Sequence, residues 1–257
     1  MSPREKLVAF NTILIKEILR FARIWIQTIL PPAITTGLYF VIFGGLIGPR
    51  IGEMEGVSYV EFIVPGLILM AIITNSYANV VSSFYLAKFS HSIEEMLVSP
   101  VPSYVILLGY LGGGVARGLA VGLAVTGVSL FFADFNVHHF GVIFIVATLT
   151  SSLFALAGFI NAIYAQSFDD ISIVPTFVLT PLTYLGGIFY SISLLPEFWQ
   201  KVSLLNPILY MINAFRYGLI GVSDIDVNIS LAIIVGFNLL LFGISVWLLK
   251  RGVGIRT

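Results

Sequence analysis

Six runs of predominantly apolar residues, at approximately 24–48, 60–84, 104–132, 141–165, 172–191 and 229–249, govern what this chain can fold into. Each is near or above the ~20 residues that an α-helix needs to cross a ~30 Å hydrocarbon layer at ~1.5 Å per residue. Inside lipid every backbone N–H and C=O must find a partner within the protein, so such runs form helices. The composition leaves no competing solvent: 58% of residues are hydrophobic, 10% are charged and mean hydropathy is +1.01, whereas soluble domains carry roughly 25% charged residues. The expected fold class is therefore an all-α polytopic membrane protein, a single transmembrane domain over residues 1–257 with six transmembrane helices.

Orientation follows from where the cations fall. An even number of spans puts both termini on one side. With the termini in the cytoplasm, Arg4, Lys6, Lys16, Arg20, Arg23, Lys88, Lys250, Arg251 and Arg256 lie inside, Arg50, Lys201 and Arg216 lie outside, and Arg117 falls within a span. That asymmetry follows the positive-inside rule. Trp25 and Trp247 sit at the inner ends of the first and last spans, where an indole prefers the headgroup region. The N-terminus has charged residues and then an amphipathic stretch, without a short apolar core and cleavage site, so no cleaved signal peptide is expected.

Three segments are not ordinary spans. Residues 3–23 place Leu7, Phe10, Leu14, Ile18 and Phe21 on one helical face and Glu5, Thr12, Lys16, Arg20 and Arg23 on the other. This predicts an interfacial helix, either a plain anchor or a docking element for a cytoplasmic partner. In the loop after the second span, Ser92-Ile93-Glu94-Glu95 fits a capping box with Ser92 as N-cap. The resulting short cytoplasmic helix ends at Pro100 and Pro102. Its apolar Ile93, Met96 and Leu97 need cover, from the protein's own N-terminal helix or from another subunit. Residues 192–221 predict two short outer-side helices, divided at Asn206-Pro207, the second carrying Asn213 and Arg216; neither suits a full span.

Polar residues within the spans are the candidate functional groups. Arg117 lies mid-span, where a charge is costly and must meet a carbonyl, a carboxylate or water. Gly114, Gly118 and Gly122 form a small-residue ridge beside it that permits close helix approach, so Arg117 serves either a functional site or a bridge between helices. Asn75 and Asn79 lie an (i, i+4) step apart on the second span, with Thr74 nearby. The fifth span carries Thr176, Thr180, Thr183 and Tyr184. These side chains line a translocation path or bond neighbouring helices.

Several chemistries have no sequence support. Gly109-Tyr110-Leu111-Gly112-Gly113-Gly114 lacks the lysine of a phosphate-binding loop and lies in a span. There is no zinc-protease motif and no nucleophile elbow. Cysteine is absent, and His138 and His139 are adjacent rather than convergent. No catalytic residue, cofactor or metal is expected, and the net charge of zero gives no reason to expect nucleic acid.

The sequence resembles the bacterial ABC-2 type permeases, and among them the YadH-type inner-membrane transport permeases, along nearly the whole chain. The matching pieces are Phe62-Ile63-Val64-Pro65-Gly66, Ile93-Glu94-Glu95-Met96-Leu97-Val98-Ser99-Pro100-Val101, Phe168-Asp169-Asp170-Ile171-Ser172, Leu179-Thr180-Pro181-Leu182-Thr183-Tyr184-Leu185-Gly186-Gly187, Leu205-Asn206-Pro207 and Phe215-Arg216-Tyr217-Gly218. The resemblance implies the six-helix ABC-2 exporter fold, a homodimer with a second permease copy, and two copies of a cytoplasmic ABC ATPase subunit on which hydrolysis occurs. It also implies that Glu94 to Val101 couple to that ATPase, and that spans two and five border the substrate path under the outer helices. It carries over no role for Arg117. The expected function is export of a lipid-linked, glycan or amphipathic small molecule. The rival readings are an ion-coupled secondary transporter, which lacks a mid-span acid, and an intramembrane lipid or glycan enzyme, which lacks a clustered acid or histidine set.

Overall fold

The computed structural model describes residues 1–134, 137–252 and 254. Arg256, counted above among the inner charges, lies outside the described residues, as do Phe135 and Asn136 of the loop before the fourth span. Helix α1 (Pro3–Arg23) opens on a capping box: the Ser2 hydroxyl accepts from the Glu5 N–H at 3.3 Å while the Glu5 carboxylate accepts from the Ser2 N–H at 2.9 Å. Ile24, at φ −115° and ψ 34°, separates it from α2 (Trp25–Ile51), which contains Pro31 and Pro32 and widens to π geometry over Phe40–Ile47. A small antiparallel hairpin, β1 (Glu53–Met54) with β2 (Val57–Ser58), turns the chain through Glu55 and Gly56, both at positive φ. A second capping box, Ser58 with Glu61, starts α3 (Tyr59–Phe89).

The remaining elements are α4 (Ser92–Val98), α5 (Ser103–Ser129), α6 (Phe140–Tyr164), α7 over 170–184, a 3₁₀ turn at Ile192–Leu194, α8 (Glu197–Leu204), α9 (Pro207–Ile220) and α10 (Val227–Arg251). Among the described residues five helices, α2, α3, α5, α6 and α10, are long and apolar enough to span a membrane. The fifth expected run is different. It forms three consecutive five-residue pieces, Asp170–Val174, π-helical Pro175–Leu179 and Thr180–Tyr184, about 22 Å in all at ~1.5 Å per residue. Gly187, at φ 79°, sits where the 172–191 span was expected to continue, and Pro175 and Pro181 interrupt its hydrogen-bond ladder. Both described ends of the chain lie at one end of the bundle: Lys6 sits over Tyr104 at the start of α5, and Gly254 lies against Ile163 at the end of α6.

The hub is α3. It packs on α5, α6 and α9, and its apolar window is 78% buried, against 11% for α2 and 22% for α10. Lipid tails are as apolar as leucine, so helix contacts here depend on close fit. Glycines supply it. A Cβ at Gly114 would meet Val80 and Ala155, one at Gly118 would meet Ser76 and Ser151, and one at Gly122 would meet Ile72. The ridge expected from sequence is the seam where α5 meets α3 and α6. Gly109, Gly112 and Gly113, on an adjoining face of the same helix, receive Ile13, Leu14 and Glu17 of α1. Helix α1 thus follows α5 from Tyr104 to Gly113, so it is seated in a notch and not only laid on a membrane surface.

Candidate functional site

Three features outside ordinary helix packing stand out. The first is a groove of about 570 Å³ between α3 and α7. Thr176, Thr180, Thr183 and Tyr184 all line it, as expected for the fifth span. From α3 the lining is Met70, Thr74, Tyr77, Ala78, Val81 and Ser82; Asn75 and Asn79 do not contribute. A helix has one side chain per ~100° of turn, and the groove takes the 70–74–77–81 stripe. The asparagines point to the adjoining face. The groove is uncharged and mixes methyl groups with hydroxyls. Thr180 and Thr183 hydroxyls donate back to the Pro175 and Leu179 carbonyls of their own helix. Tyr77 holds its hydroxyl by accepting from Asn161 at 2.7 Å. At the start of α7, the Asp170 carboxylate accepts from the Gln166 and Ser167 N–H groups at 2.8 and 3.0 Å, which holds its carboxyl below the usual carboxylate range.

The second feature is a polar network within the bundle. Glu17 is fully buried; it accepts from the Ser83 hydroxyl at 2.6 Å and pairs with Arg20 at 3.4 Å and Lys16 at 3.7 Å. Arg20 donates to both the main-chain and side-chain oxygens of Asn79, each at 2.8 Å. Asn75 receives Arg117 at 3.1 Å through its amide oxygen. The two asparagines share a role, as their spacing suggested, but the role is to receive arginines. The wet face assigned to α1 needs correction at Arg20, which turns inward because Glu17 and Asn79 offer it a charge and two acceptors. Nothing in the periodicity marked Glu17; the glycine run opposite it was the available signal, since only a notch free of side chains lets a carboxylate descend that far.

The third feature is α4 and its flanks at the end that carries both termini. Ile93 is buried in the core, Met96 and Leu97 are half-buried against it, and Glu94, Glu95 and Val98 face outward, Val98 with 88% of its surface exposed. Ser99, Pro100 and Val101 continue as an extended turn into α5. The capping box expected here is corrected. His91, at φ 57°, is the N-cap residue and its ring nitrogen meets Glu94 at 2.9 Å, while Ser92 is already helical and its hydroxyl donates to Ala87. The chain reverses direction within Ser90–His91, and that reversal places the left-handed residue one position before the serine. Below α4, Lys88 donates to the carbonyls of Ile163 and Ala165 at 2.7 and 2.8 Å, closing the C-terminus of α6.

At the opposite end, α8 and α9 form the expected pair of short helices. Arg216, counted above with the outer charges, is buried within the protein. It stacks over the Phe62 ring at 3.8 Å, donates to the Gly187 carbonyl and lies 3.8 Å from Asp224. Asp224 is held in turn by the Ser191 hydroxyl at 2.8 Å, and its N–H donates to Asn213 at 2.9 Å. The α9 helix is thereby tied to the end of α7 and to α3.

Among the described residues no group of three or more His, Cys, Asp or Glu side chains converges as a metal site would require. Glu61 is committed to the α3 cap.

Comparisons with known proteins bear on the family. The ABC-2 type transporter family matches residues 8–220. An Escherichia coli K12 protein, the inner membrane transport permease YadH, is 58% identical over 250 residues, covering 97% of this chain and 98% of the relative. Nodulation protein J of Sinorhizobium fredii is 26% identical over 219 residues, 84% of this chain and 82% of the relative, and its Neorhizobium galegae counterpart is 25% identical over 215 residues, 83% and 82%. The chain belongs to the ABC-2 type transporter family, as a transport permease built of membrane-spanning helices.

Proposed function

We propose that this chain is the permease subunit of an ATP-driven exporter in the bacterial inner membrane, with both termini in the cytoplasm. It works as a homodimer with two copies of a separate cytoplasmic ATPase, and moves a lipid-linked, glycan or amphipathic small molecule outward. The supporting relatives are one named as an inner membrane transport permease and others named as nodulation proteins. The observation that carries the ATPase part is the two-sided character of α4. Ile93 anchors it in the core, while Glu94, Glu95 and Val98 form an outer face that nothing in the chain covers among the described residues. A helix fixed on one side and uncovered on the other can transmit a push. The segment from Ile93 through Glu94, Glu95, Met96, Leu97, Val98, Ser99 and Pro100 to Val101 is the proposed contact.

In the proposed cycle, closure of the ATPase pair displaces α4, and the connected ends of α3 and α5 carry that motion to the groove. Thr176, Thr180, Thr183 and Tyr184 then act as path-lining groups, and Asn75 and Asn79 as positioning groups behind it. Two states with different affinity for cargo are required for such coupling. The test is co-purification with a cytoplasmic ABC ATPase co-expressed with this chain. Wild-type permease should retain it, and Val98→Asp or Glu95→Arg should release it while the permease still melts at the wild-type temperature. Retention by both variants would remove α4 from the interface. The ion-coupled reading has little to stand on: among the described residues, the only carboxylate buried within the spans' packing is Glu17, and it is held by cations and a hydroxyl.

A further inference from the structure

The bundle buries more positive than negative charge, and the excess is at Arg117. No Asp or Glu occurs in α2, α5, α6 or α10, and in α3 the only one is Glu61, used in its cap. Three arginines lie within the packed region. Arg216 has Asp224, and Arg20 has Glu17. Arg117 faces only the neutral amide oxygen of Asn75, at 3.1 Å, and its buried Nε has no partner. Glu17 cannot serve both arginines, because Ser83, Arg20 and Lys16 already occupy it, and Arg20 has taken both oxygens of Asn79. One cation near the centre of α5 therefore lacks a counter-charge, a costly arrangement in hydrocarbon unless an anion completes it.

The place for that anion is beside α2. Asn75, the residue that holds Arg117, lines a pocket of about 340 Å³ between α2 and α3, together with Gln27, Thr28, Thr35, Thr36 and Thr74. Thr74 also borders the α3–α7 groove, so the two spaces adjoin. Pro31, Pro32, Met70 and Ala71 complete the lining, which holds amides and hydroxyls among apolar groups and no carboxylate to repel an anion; Arg117 itself is not in the lining and reaches it through Asn75. A guanidinium offers paired N–H donors that match the oxygens of phosphate or carboxylate.

We propose that Arg117, with Asn75 and the α2 threonines, forms a binding site for the anionic head group of an amphiphile. The same chemistry serves a resident membrane phospholipid or an anionic cargo in transit. The cargo version rests on the permease reading above; the binding itself does not.

Purified permease, mixed with phosphatidylglycerol or with phosphatidylcholine of the same chains, is examined by native mass spectrometry. Wild-type protein should retain phosphatidylglycerol about tenfold better, the equivalent of roughly one charge-assisted hydrogen bond. Arg117→Gln should bring the two lipids to parity, and Arg117→Lys should fall between. Because the site removes a lone buried charge, Arg117→Gln should melt no lower than wild type. Unchanged selectivity in Arg117→Gln would overturn the proposal, as would a lowered melting temperature with selectivity intact, which identifies a strut between α5 and α3. The permease reconstituted with its ATPase separates the sources. ATP-dependent, Arg117-dependent movement of labelled phosphatidylglycerol between leaflets marks cargo, and retained lipid without movement marks a resident ligand. The binding arm uses permease alone, so failure of the ATPase reading leaves its outcome legible.

Discussion

A single methyl group at Gly113 should unseat α1. The Cβ of an alanine there would clash with the Cβ of Glu17 and lie 3.1 Å from its Cγ and 3.4 Å from the Asn79 amide nitrogen. Comfortable carbon contacts need ~3.5–4.0 Å, and the obstructing atom is at the root of the side chain, so no rotamer of Glu17 relieves it. The helix itself must back away by roughly 1 Å. The Ser83–Glu17 bond at 2.6 Å and the two Arg20–Asn79 bonds at 2.8 Å would then stretch out of range or nearly so. Hydrogen bonds to charged groups contribute ~1.5–3 kcal/mol each. Arg20 keeps about a quarter of its side-chain surface exposed, which discounts its share, and alanine returns ~1 kcal/mol of helix propensity. The net loss is on the order of 2–4 kcal/mol, or roughly 5–10 °C in Tm. Gly127→Ala on the same helix meets nothing within 4 Å and should be neutral or slightly stabilising. The natural chain has no cysteine, so a single Ile13→Cys can report on the seat: shielded from maleimide in the parent, reactive once Gly113→Ala is added. Equal melting of the Gly113 and Gly127 variants, with Cys at position 13 still shielded, would refute the notch.

Three further outcomes follow from the same geometry. Arg216→Met should destabilise the fold by ~2–3 kcal/mol, because it frees the Gly187 carbonyl and removes the partner of the partly exposed Asp224; thermal unfolding in detergent measures this, and Arg216→Lys should recover only part. Lys88→Met should cost ~1–2 kcal/mol by uncapping α6, with faster amide exchange localised to the last turn of that helix. Thr176→Val and Thr180→Val change groove chemistry without changing volume, so they should lower cargo turnover several-fold while leaving Tm within about 2 °C, read by parallel transport and melting assays.

Much of this architecture was readable from the chain because hydropathy runs and bilayer thickness share one length scale. The expected spans at 24–48, 60–84, 104–132, 141–165 and 229–249 correspond closely to α2, α3, α5, α6 and α10. The run at 172–191 misled in length, since Pro175, Pro181 and the positive φ of Gly187 are backbone features that a hydropathy window averages away. The Gly114–Gly118–Gly122 ridge is legible because a spacing of four is close to the ~3.6-residue helical repeat. The neighbouring Gly109, Gly112 and Gly113 read in the sequence only as a glycine run without a lysine, and their meaning depends on Glu17, nearly a hundred residues earlier. An amphipathic wheel places any carboxylate on the wet face, so burial of Glu17 is visible only once α5 is beside it. The spacing of Asn75 and Asn79 puts them on one face, but which face borders the groove depends on where α7 sits. The α4 segment shows the same limit: its helix was plain from Glu94, Glu95 and the following prolines, whereas the cap moved to His91 because the chain must reverse there.

The central claim is that the outer face of α4 passes ATPase motion to the groove. The direct measurement is ATP-driven export by vesicles carrying the permease and its ATPase, comparing wild type with Glu95→Arg and Val98→Asp variants of unchanged Tm. Loss of export with the permease fold intact is the result the account predicts. Export at the wild-type rate from both variants would contradict it.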